Sequence, residues 1–400
     1  MDERFELIES LDAEYGLQTF NRLPVAFVRG EGTRLWDTAG REYLDLVSGL
    51  GVTVLGHCHP AVTEAIREQA ARLVHTTNLY YVEPQARLAR LLVENSFPGR
   101  CFFANSGAEA NEGALKLARK YHYLEGKPRG KVVCIEGAFH GRTLATLSAT
   151  GQPAKWEPFK PVMPGFEHVA LDDPGALSDA VDEETAAVML ELIQGESGVR
   201  PVSSEVISAA REACDRTGAL LLVDEVQTGL GRTGKLFAYQ HYGVTPDVMT
   251  LAKGIANGVP AAAFIVASEF ADALSPGDHG STFGGGFLAC SAALATMETV
   301  IGEDLPGKAG RLGELLLERL RSMMEGVPLV TGVRGSGLML AVQLERDVSR
   351  QAVLACLERG VLVNNVTPDV VRLLPPLIIG EEEATRGARV LADVLKGLDD

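Results

Sequence analysis

Lys253 closes the run Val248-Met249-Thr250-Leu251-Ala252-Lys253-Gly254, and Asp224 closes a second apolar run that begins at Ala219. Both stand at the C-terminal ends of buried-strand patterns, where open α/β sheets place their ligands. A lysine amine there can form an imine with a carbonyl, and an aspartate there can face a protonated ring nitrogen. Two acids, Asp224 and Glu225, following Leu-Leu-Leu-Val would be costly to bury without a cationic partner, and a pyridinium N–H is such a partner. The combination is what a pyridoxal-phosphate enzyme needs. A Walker-B-like metal site is the rival reading of the two acids, but the chain contains no GxxxxGK[ST] loop.

Other motifs carry weaker signals. Phe102-Phe103-Ala104-Asn105 runs into Ser106-Gly107-Ala108-Glu109, where Ser106 and Glu109 have capping-box spacing for a following helix. The free N–H groups and positive dipole end of that helix suit a phosphate, although a capped helix without a ligand has the same sequence. In Ala138-Phe139-His140-Gly141-Arg142 the aromatic could stack on a flat cofactor and Arg142 could hold a carboxylate. Taken alone, a core phenylalanine and a surface arginine are the better reading of that segment. Gly280-Ser281-Thr282-Phe283-Gly284-Gly285-Gly286 permits close backbone approach and offers the Thr282 hydroxyl. Gly56-His57-Cys58-His59-Pro60 looks like a metal tract but lacks a second ligand pair at recognisable spacing, so no metal site is expected.

These residues need a scaffold, and the chain supplies strand patterns at 101–105, 131–136, 186–192, 219–224, 248–252 and 261–267. Helical patterns at 83–95, 107–122 and 204–217 alternate with them, which predicts an α/β fold with a mostly parallel sheet covered on both faces. Residues 1–20 read as a short acidic amphipathic helix, and Thr33–Trp36, Asp37–Gly40 and Glu42–Asp45 as a hairpin with its turn. Leu305-Pro306-Gly307 marks a composition break before a helix at 309–325, short β patterns (Leu338–Leu344, Val361–Asn364, Val371–Leu374) and a last helix from about residue 381. The expected organisation is an N-terminal segment at 1–50, a large α/β domain at 51–304 and a smaller α+β domain at 305–400. A net charge of −16 argues against nucleic acid or an anionic membrane as partner, while a local arginine pocket can still take anionic substrates. Six scattered cysteines without CxxC spacing, no signal-peptide pattern and no long apolar run lead to the expectation of a cytoplasmic protein with reduced thiols.

In order, SGAE, FHGR, QGE, DEVQTGLGRTG, LAKG and GSTFGG resemble the class III aminotransferases among fold-type I pyridoxal-phosphate enzymes, and the likeness runs from the WDTAG hairpin through GHCHP to VRLLPP. The resemblance implies pyridoxal 5'-phosphate bound covalently to Lys253, which also shuttles the proton. It implies Asp224 at the pyridine nitrogen, Phe139 and Val226 on the two ring faces, Gln227 near the ring hydroxyl, and Gly107 and Ala108 N–H groups on the phosphate. Ser106 and Glu225 complete the cofactor set, with Thr282 reaching across from the other subunit of a homodimer whose active sites are shared. Arg142, Glu196, Ser281 and Arg372 form the implied substrate set. Three segments depart from many relatives: Glu191-Leu192 in place of Glu-Pro, Gly285-Gly286-Phe287 in place of GGNP, and Ile255-Ala256-Asn257-Gly258 in place of a more glycine-rich loop.

Within the family the resemblance is to the acetylornithine branch, implying transfer of the δ-amino group of N2-acetylornithine to 2-oxoglutarate, in arginine biosynthesis. Ornithine, 4-aminobutyrate and succinyldiaminopimelate are rival amino donors, and the ornithine branch has a tyrosine where this chain has Phe20. A decarboxylase or aminomutase on the same scaffold, or a non-catalytic regulator, are rivals from other classes; Lys253, Asp224 and Arg142 together weigh against the regulator.

Overall fold

A computed structural model describes residues 2–399. Seven strands form the central sheet: β1 (Gly99–Ala104), β2 (Lys131–Ile135), β3 (Phe166–Val169), β4 (Thr185–Glu191), β5 (Leu220–Asp224), β6 (Val248–Leu251) and β7 (Ala262–Ala267). Their spatial order is β1-β7-β6-β5-β4-β2-β3. All neighbouring pairs are parallel except the two made by β7, which runs antiparallel to both β6 and β1. Every residue of β4, β5 and β6 is buried, as expected for strands covered on both faces by crossover helices. The register sets Glu191, Asp224 and Thr250 side by side at the C-terminal ends of β4, β5 and β6.

The six strands read from the sequence all form, within two residues at each end. β3 was not among them, because Phe-Glu-His-Val is a short edge strand whose first three residues are not fully buried. Helices Pro60–Arg72 and Phe287–Gly302 also lie outside the expected set. The second is nearly all apolar and alanine-rich, so it has no polar face to show a 3.6-residue stripe. Leu305-Pro306-Gly307 does not precede the helix expected at 309–325 but is the first turn of the Leu305–Met323 helix, with Asp304 accepting from the Gly307 N–H at 3.2 Å. Proline suits that place because its missing N–H would have no intrahelical acceptor there.

The two ends of the chain meet. Phe27–Glu31, Arg34–Asp37 and Glu42–Asp45 form an antiparallel meander, and Val361–Leu362 adds to it in parallel beside Glu42–Asp45. A second four-stranded sheet, Val330–Ser336, Met339–Leu344, Val370–Leu373 and Asn364–Thr367, carries Arg372. One hydrophobic core runs through Leu44, Val223, Met297, Leu320 and Leu391 and so links these layers to the central sheet. The N-terminal helix, Glu3–Tyr15, buries none of its residues against this chain. Among the described residues no helix is long and apolar enough to cross a membrane.

Candidate active site

A cavity of about 410 Å³ opens over the C-terminal ends of β4 and β5 and is lined by Asp224, Lys253, Phe139, Val226, Arg142 and Glu196, among others. Asp224 is 4 % exposed, and its carboxylate is held from three directions. Oδ2 accepts from Asn111 Nδ2 at 2.8 Å and pairs with His140 Nδ1 at 2.9 Å, while Oδ1 accepts from the Val226 N–H at 2.9 Å. An ionised carboxylate only accepts, so His140 carries its proton on Nδ1. Asn111 is itself fixed: its amide also donates to the His140 carbonyl, and its Oδ1 accepts from Thr250 Oγ1 at 2.7 Å. The network leaves Oδ1 with accepting capacity toward the cavity, the requirement for meeting a ring N–H.

The phosphate end follows from the Gly107–Leu124 helix. Ser106 caps it by accepting from the Glu109 N–H at 3.2 Å. Glu109 reaches back to the N–H of Asn105, one residue beyond the cap, at 2.9 Å. Gly107 and Ala108, at the first two helical positions, have no intrahelical acceptor, which suits an anion at the positive end of the dipole. A Cβ on Gly107 would sit 2.9 Å from both Val226 methyls. Glycine therefore lets Val226 seat against the helix start without filling the cavity. These features together fit a flat, phosphorylated aromatic ring.

Lys253 begins a short 3-10 turn, Lys253–Ala256, with φ of 40°. Burial pushes its ammonium below lysine's ordinary range and Arg372 adds to this, with Glu196, Glu191 and Asp224 opposing. The turn ends at Asn257, φ 47° and ψ 41°, a left-handed conformation that asparagine tolerates. Its side chain accepts from the Leu55 N–H at 2.8 Å and donates to the Gly56 carbonyl at 3.0 Å. The segment 255–258 thus takes its positive φ at Asn257 and gains a two-point tie to the loop at 55–56.

Arg372 is 1 % exposed and enters from the second sheet. It donates to the Gly195 carbonyl at 2.8 Å, Glu196 Oε1 at 2.8 Å, Gln227 Oε1 at 3.0 Å and Asn364 Oδ1 at 2.8 Å. Gln227 also donates to Glu196 at 3.2 Å, so it bridges the ion pair. Burial would raise the Glu196 carboxyl, but Arg372, Lys253 and these hydrogen bonds outweigh it and hold it at about 2. The Glu196–Arg372 pair is therefore the arrangement already in place, and a carboxylate bound for Arg372 must displace Glu196.

Glu225 is a correction. Its carboxylate turns away from the cavity and accepts from the Ala238 N–H at 2.7 Å, the Tyr239 N–H at 2.8 Å and Thr228 Oγ1 at 3.2 Å. Side chains alternate across a strand, so the residue after Asp224 leaves on the opposite side. Burial, with a smaller contribution from Asp224, overcomes these three bonds and raises Glu225 from 4.5 to about 7. The folded chain then holds this proton more tightly than the unfolded one, so the stabilisation is complete at low pH and is lost as pH rises through about 7. The melting-temperature advantage of wild type over Glu225→Gln should shrink between about pH 5 and pH 8. A difference that stays constant across that range removes Glu225 from this role.

Three further expected residues stand outside the cavity of this chain. Ser281 Oγ accepts from Asn105 Nδ2 at 3.1 Å and the Gly284 N–H at 2.9 Å, folding the glycine loop onto the end of β1. Thr282 is exposed beside Phe283. Phe20, 72 % exposed, lies in a separate groove with Arg22 and Arg350. His57 of the metal-like tract is taken up by Asp45, Nε2 to Oδ2 at 2.7 Å. Sequence reasoning missed Asn111, His140, Thr250 and Glu191. Glu191 is buried beside Asp224 and accepts from the Phe139 N–H at 2.8 Å and the Gly195 N–H at 3.2 Å, anchoring Phe139 and the Glu196 loop together. Burial and the Asp224 charge push it upward. A polar Asn111 on a helix face otherwise lined by Ala110, Gly113 and Ala114 was the available signal.

The chain matches the Aminotransferase class-III family from residue 17 to residue 395. It is 48 % identical to an acetylornithine aminotransferase of Caldanaerobacter subterraneus, over 96 % of this chain and 98 % of that protein. Identity to the acetylornithine aminotransferase of Methanopyrus kandleri is 49 %, over 99 % of each. Among solved structures, the ornithine aminotransferase of Toxoplasma gondii superposes with a TM-score of 0.95 at 36 % identity, over 98 % of this chain and 95 % of that one. The acetylornithine aminotransferase from Elizabethkingia anophelis does so with a TM-score of 0.89 at 34 % identity, over 98 % of each. Family match and near-complete coverage at this identity agree with a cavity shaped for a phosphorylated ring: the chain belongs to the class III aminotransferases, pyridoxal-phosphate-dependent transaminases of fold type I.

Proposed function

We propose that this transaminase moves the δ-amino group of N2-acetylornithine to 2-oxoglutarate, giving N-acetylglutamate 5-semialdehyde and glutamate. The observation that carries the reading is the Glu196–Arg372 pair beside Lys253, with Arg142 across the same cavity. In glutamate the reacting carbon lies three bonds from the distal carboxylate carbon; in acetylornithine it lies four. Both substrates can present that distal carboxylate to Arg142. Only glutamate carries a second carboxylate on the reacting carbon, and Arg372 takes it after Glu196 leaves. With acetylornithine bound, Arg372 would be an unpaired buried cation, so Glu196 stays. The curated relatives at 48 % and 49 % identity support the same choice of substrate.

Bound pyridoxal phosphate supplies an electron sink and carries the amino group between the two half-reactions. Asp224 holds the proton on the ring nitrogen; His140, Asn111 and Val226 hold Asp224. Phe139 and Val226 confine the ring, and the Gly107 and Ala108 N–H groups with the Ser106 cap bind its phosphate. Lys253 Nζ, the point of covalent attachment, takes the proton from the substrate's reacting carbon and returns it. Its depressed pKa favours the neutral amine this requires.

The reading includes a homodimer with Thr282 and Ser281 contributing to the partner's site. Leu79 (85 %), Tyr81 (107 %) and Phe283 (67 %) are exposed on one surface. That surface is held together by Asn78 donating to the Ser281 and Gly284 carbonyls at 3.0 Å each, and an apolar patch of this kind beside a site calls for a protein partner. Six free cysteines agree with a cytoplasmic location.

Half-reaction rates with acetylornithine, ornithine, 4-aminobutyrate and succinyldiaminopimelate, followed by recovery with 2-oxoglutarate, test the substrate. Acetylornithine should exceed ornithine, and Glu196→Ala should slow the acetylornithine half-reaction about ten- to hundredfold with little loss for glutamate. An ordinary surface ion pair would give almost no effect. Equal slowing of both half-reactions, or ornithine turned over as fast as acetylornithine, would defeat the proposal.

A further inference from the structure

The ring of Phe139 is approached by two cations. Arg142 Cζ lies 5.5 Å from its centroid and Lys155 Nζ lies 5.6 Å from it. Phe139 and Arg142 line the cavity, while Lys155, half-buried on the short Pro153–Trp156 helix, approaches the same ring without being part of the lining. Among the described residues no carboxylate lies within ion-pair distance of either cation. That is unusual in a chain with 53 acidic and 37 basic residues, because two like charges brought together without a counter-charge repel.

The placement of Lys155 is not left to a mobile loop. Gly151 exchanges backbone hydrogen bonds with Gly137 and Ala138, at 2.7 and 2.9 Å. Gln152 Nε2 donates to the Gly137 carbonyl at 2.8 Å and to Ser197 Oγ at 3.2 Å. The segment bearing Lys155 is thereby tied to the residues just before Phe139 and just after Glu196. Burial lowers the Lys155 pKa and the Arg142 charge lowers it further, with Glu196 opposing.

We propose that Lys155 is a specificity-determining residue: from outside the cavity lining it adds its charge to that of Arg142, which lines the cavity, and this two-cation clamp on the substrate's distal carboxylate selects an amino donor whose distal end is a net anion. This rests on the substrate reading above. The distal end of acetylornithine carries a carboxylate and a neutral amide, so both cations gain. The distal end of ornithine carries a carboxylate and an ammonium, so attraction and repulsion nearly cancel. Discrimination thus arises from charge at a rigid position and needs no group that touches the acetyl methyl. The distal carboxylate of glutamate uses the same clamp, which lets one pocket serve both half-reactions.

The test uses the holoenzyme as wild type, Lys155→Gln and Lys155→Arg, with glutarate as an unreactive dicarboxylate probe in titration calorimetry. Lys155→Gln should weaken glutarate about tenfold and Lys155→Arg should stay within about twofold of wild type. In turnover, Lys155→Gln should raise KM for acetylornithine and 2-oxoglutarate by a similar factor with kcat nearly unchanged, and should narrow the preference for acetylornithine over ornithine. A merely structural lysine covering the ring would lower thermal stability and leave the glutarate affinity alone. Glutarate binding within twofold of wild type in Lys155→Gln overturns the clamp, whichever amine proves to be the substrate. Weakened glutarate binding in an enzyme that does not turn over acetylornithine overturns the substrate reading and leaves the clamp standing.

Discussion

Lys253→Ala should abolish turnover while leaving the fold intact. Alanine inherits the same φ of 40° at this position, so the backbone is no more strained than before. The change also removes a buried amine whose charged form burial disfavours, which costs the fold little. Asn257 continues to tie the turn to Leu55 and Gly56. The expected chemical loss is large because the proposed mechanism gives one group two roles, attachment and proton transfer, and proton transfer alone contributes about 10²–10⁴-fold. Among the described residues, Lys253 is the one lysine that lines the cavity. Borohydride trapping followed by peptide mapping checks the assignment in wild type, and single-turnover absorbance checks it in the variant. A label on any other lysine, or a proton-transfer rate within tenfold of wild type, would remove Lys253 from the role.

Much of the site was legible because burying a charge is expensive. Lys253 and Asp224 each follow an apolar run long enough to be a strand, so their placement at the sheet's C-terminal edge came from local pattern alone. Glu225 was misread because a block of adjacent residues was treated as a unit, whereas strand periodicity sends neighbours to opposite sides. The groups that hold Asp224 were illegible for a different reason. Asn111 is 113 residues away in sequence and His140 is 84, and hydrogen-bond partners at such separations leave no local trace. The same holds for Lys155, whose meaning lies in its distance to Phe139 and in the Gln152 bonds that fix it. Fold misses follow the pattern: the Phe287–Gly302 helix is too uniformly apolar to show a stripe, and β3 is too short and too half-buried to show a run.

Asp224→Asn should leave the ring bound and slow proton abstraction by about 10²-fold or more. The reason is the donor pattern around the carboxylate. Oδ2 faces two donors, Asn111 Nδ2 and His140 Nδ1, and Oδ1 faces one, the Val226 N–H. An asparagine NH₂ at the Oδ2 position would oppose both donors. Asn111 cannot flip to relieve this without turning its oxygen onto the His140 carbonyl and its NH₂ onto the Thr250 hydroxyl. The amide therefore places its NH₂ at the Oδ1 position, where it meets one N–H and the cavity. A donor there can serve only an unprotonated ring nitrogen, so the electron sink is lost while the contact is kept. A hydrogen bond to a charged group is worth about 1.5–3 kcal/mol, and each ~1.4 kcal/mol is tenfold in rate. Reconstitution with a cofactor methylated on the ring nitrogen, whose charge needs no proton, should recover a substantial part of the lost rate. Half-reaction rates within tenfold of wild type, or no recovery with the methylated cofactor, would show that Asp224 acts through packing and not through the proton it holds.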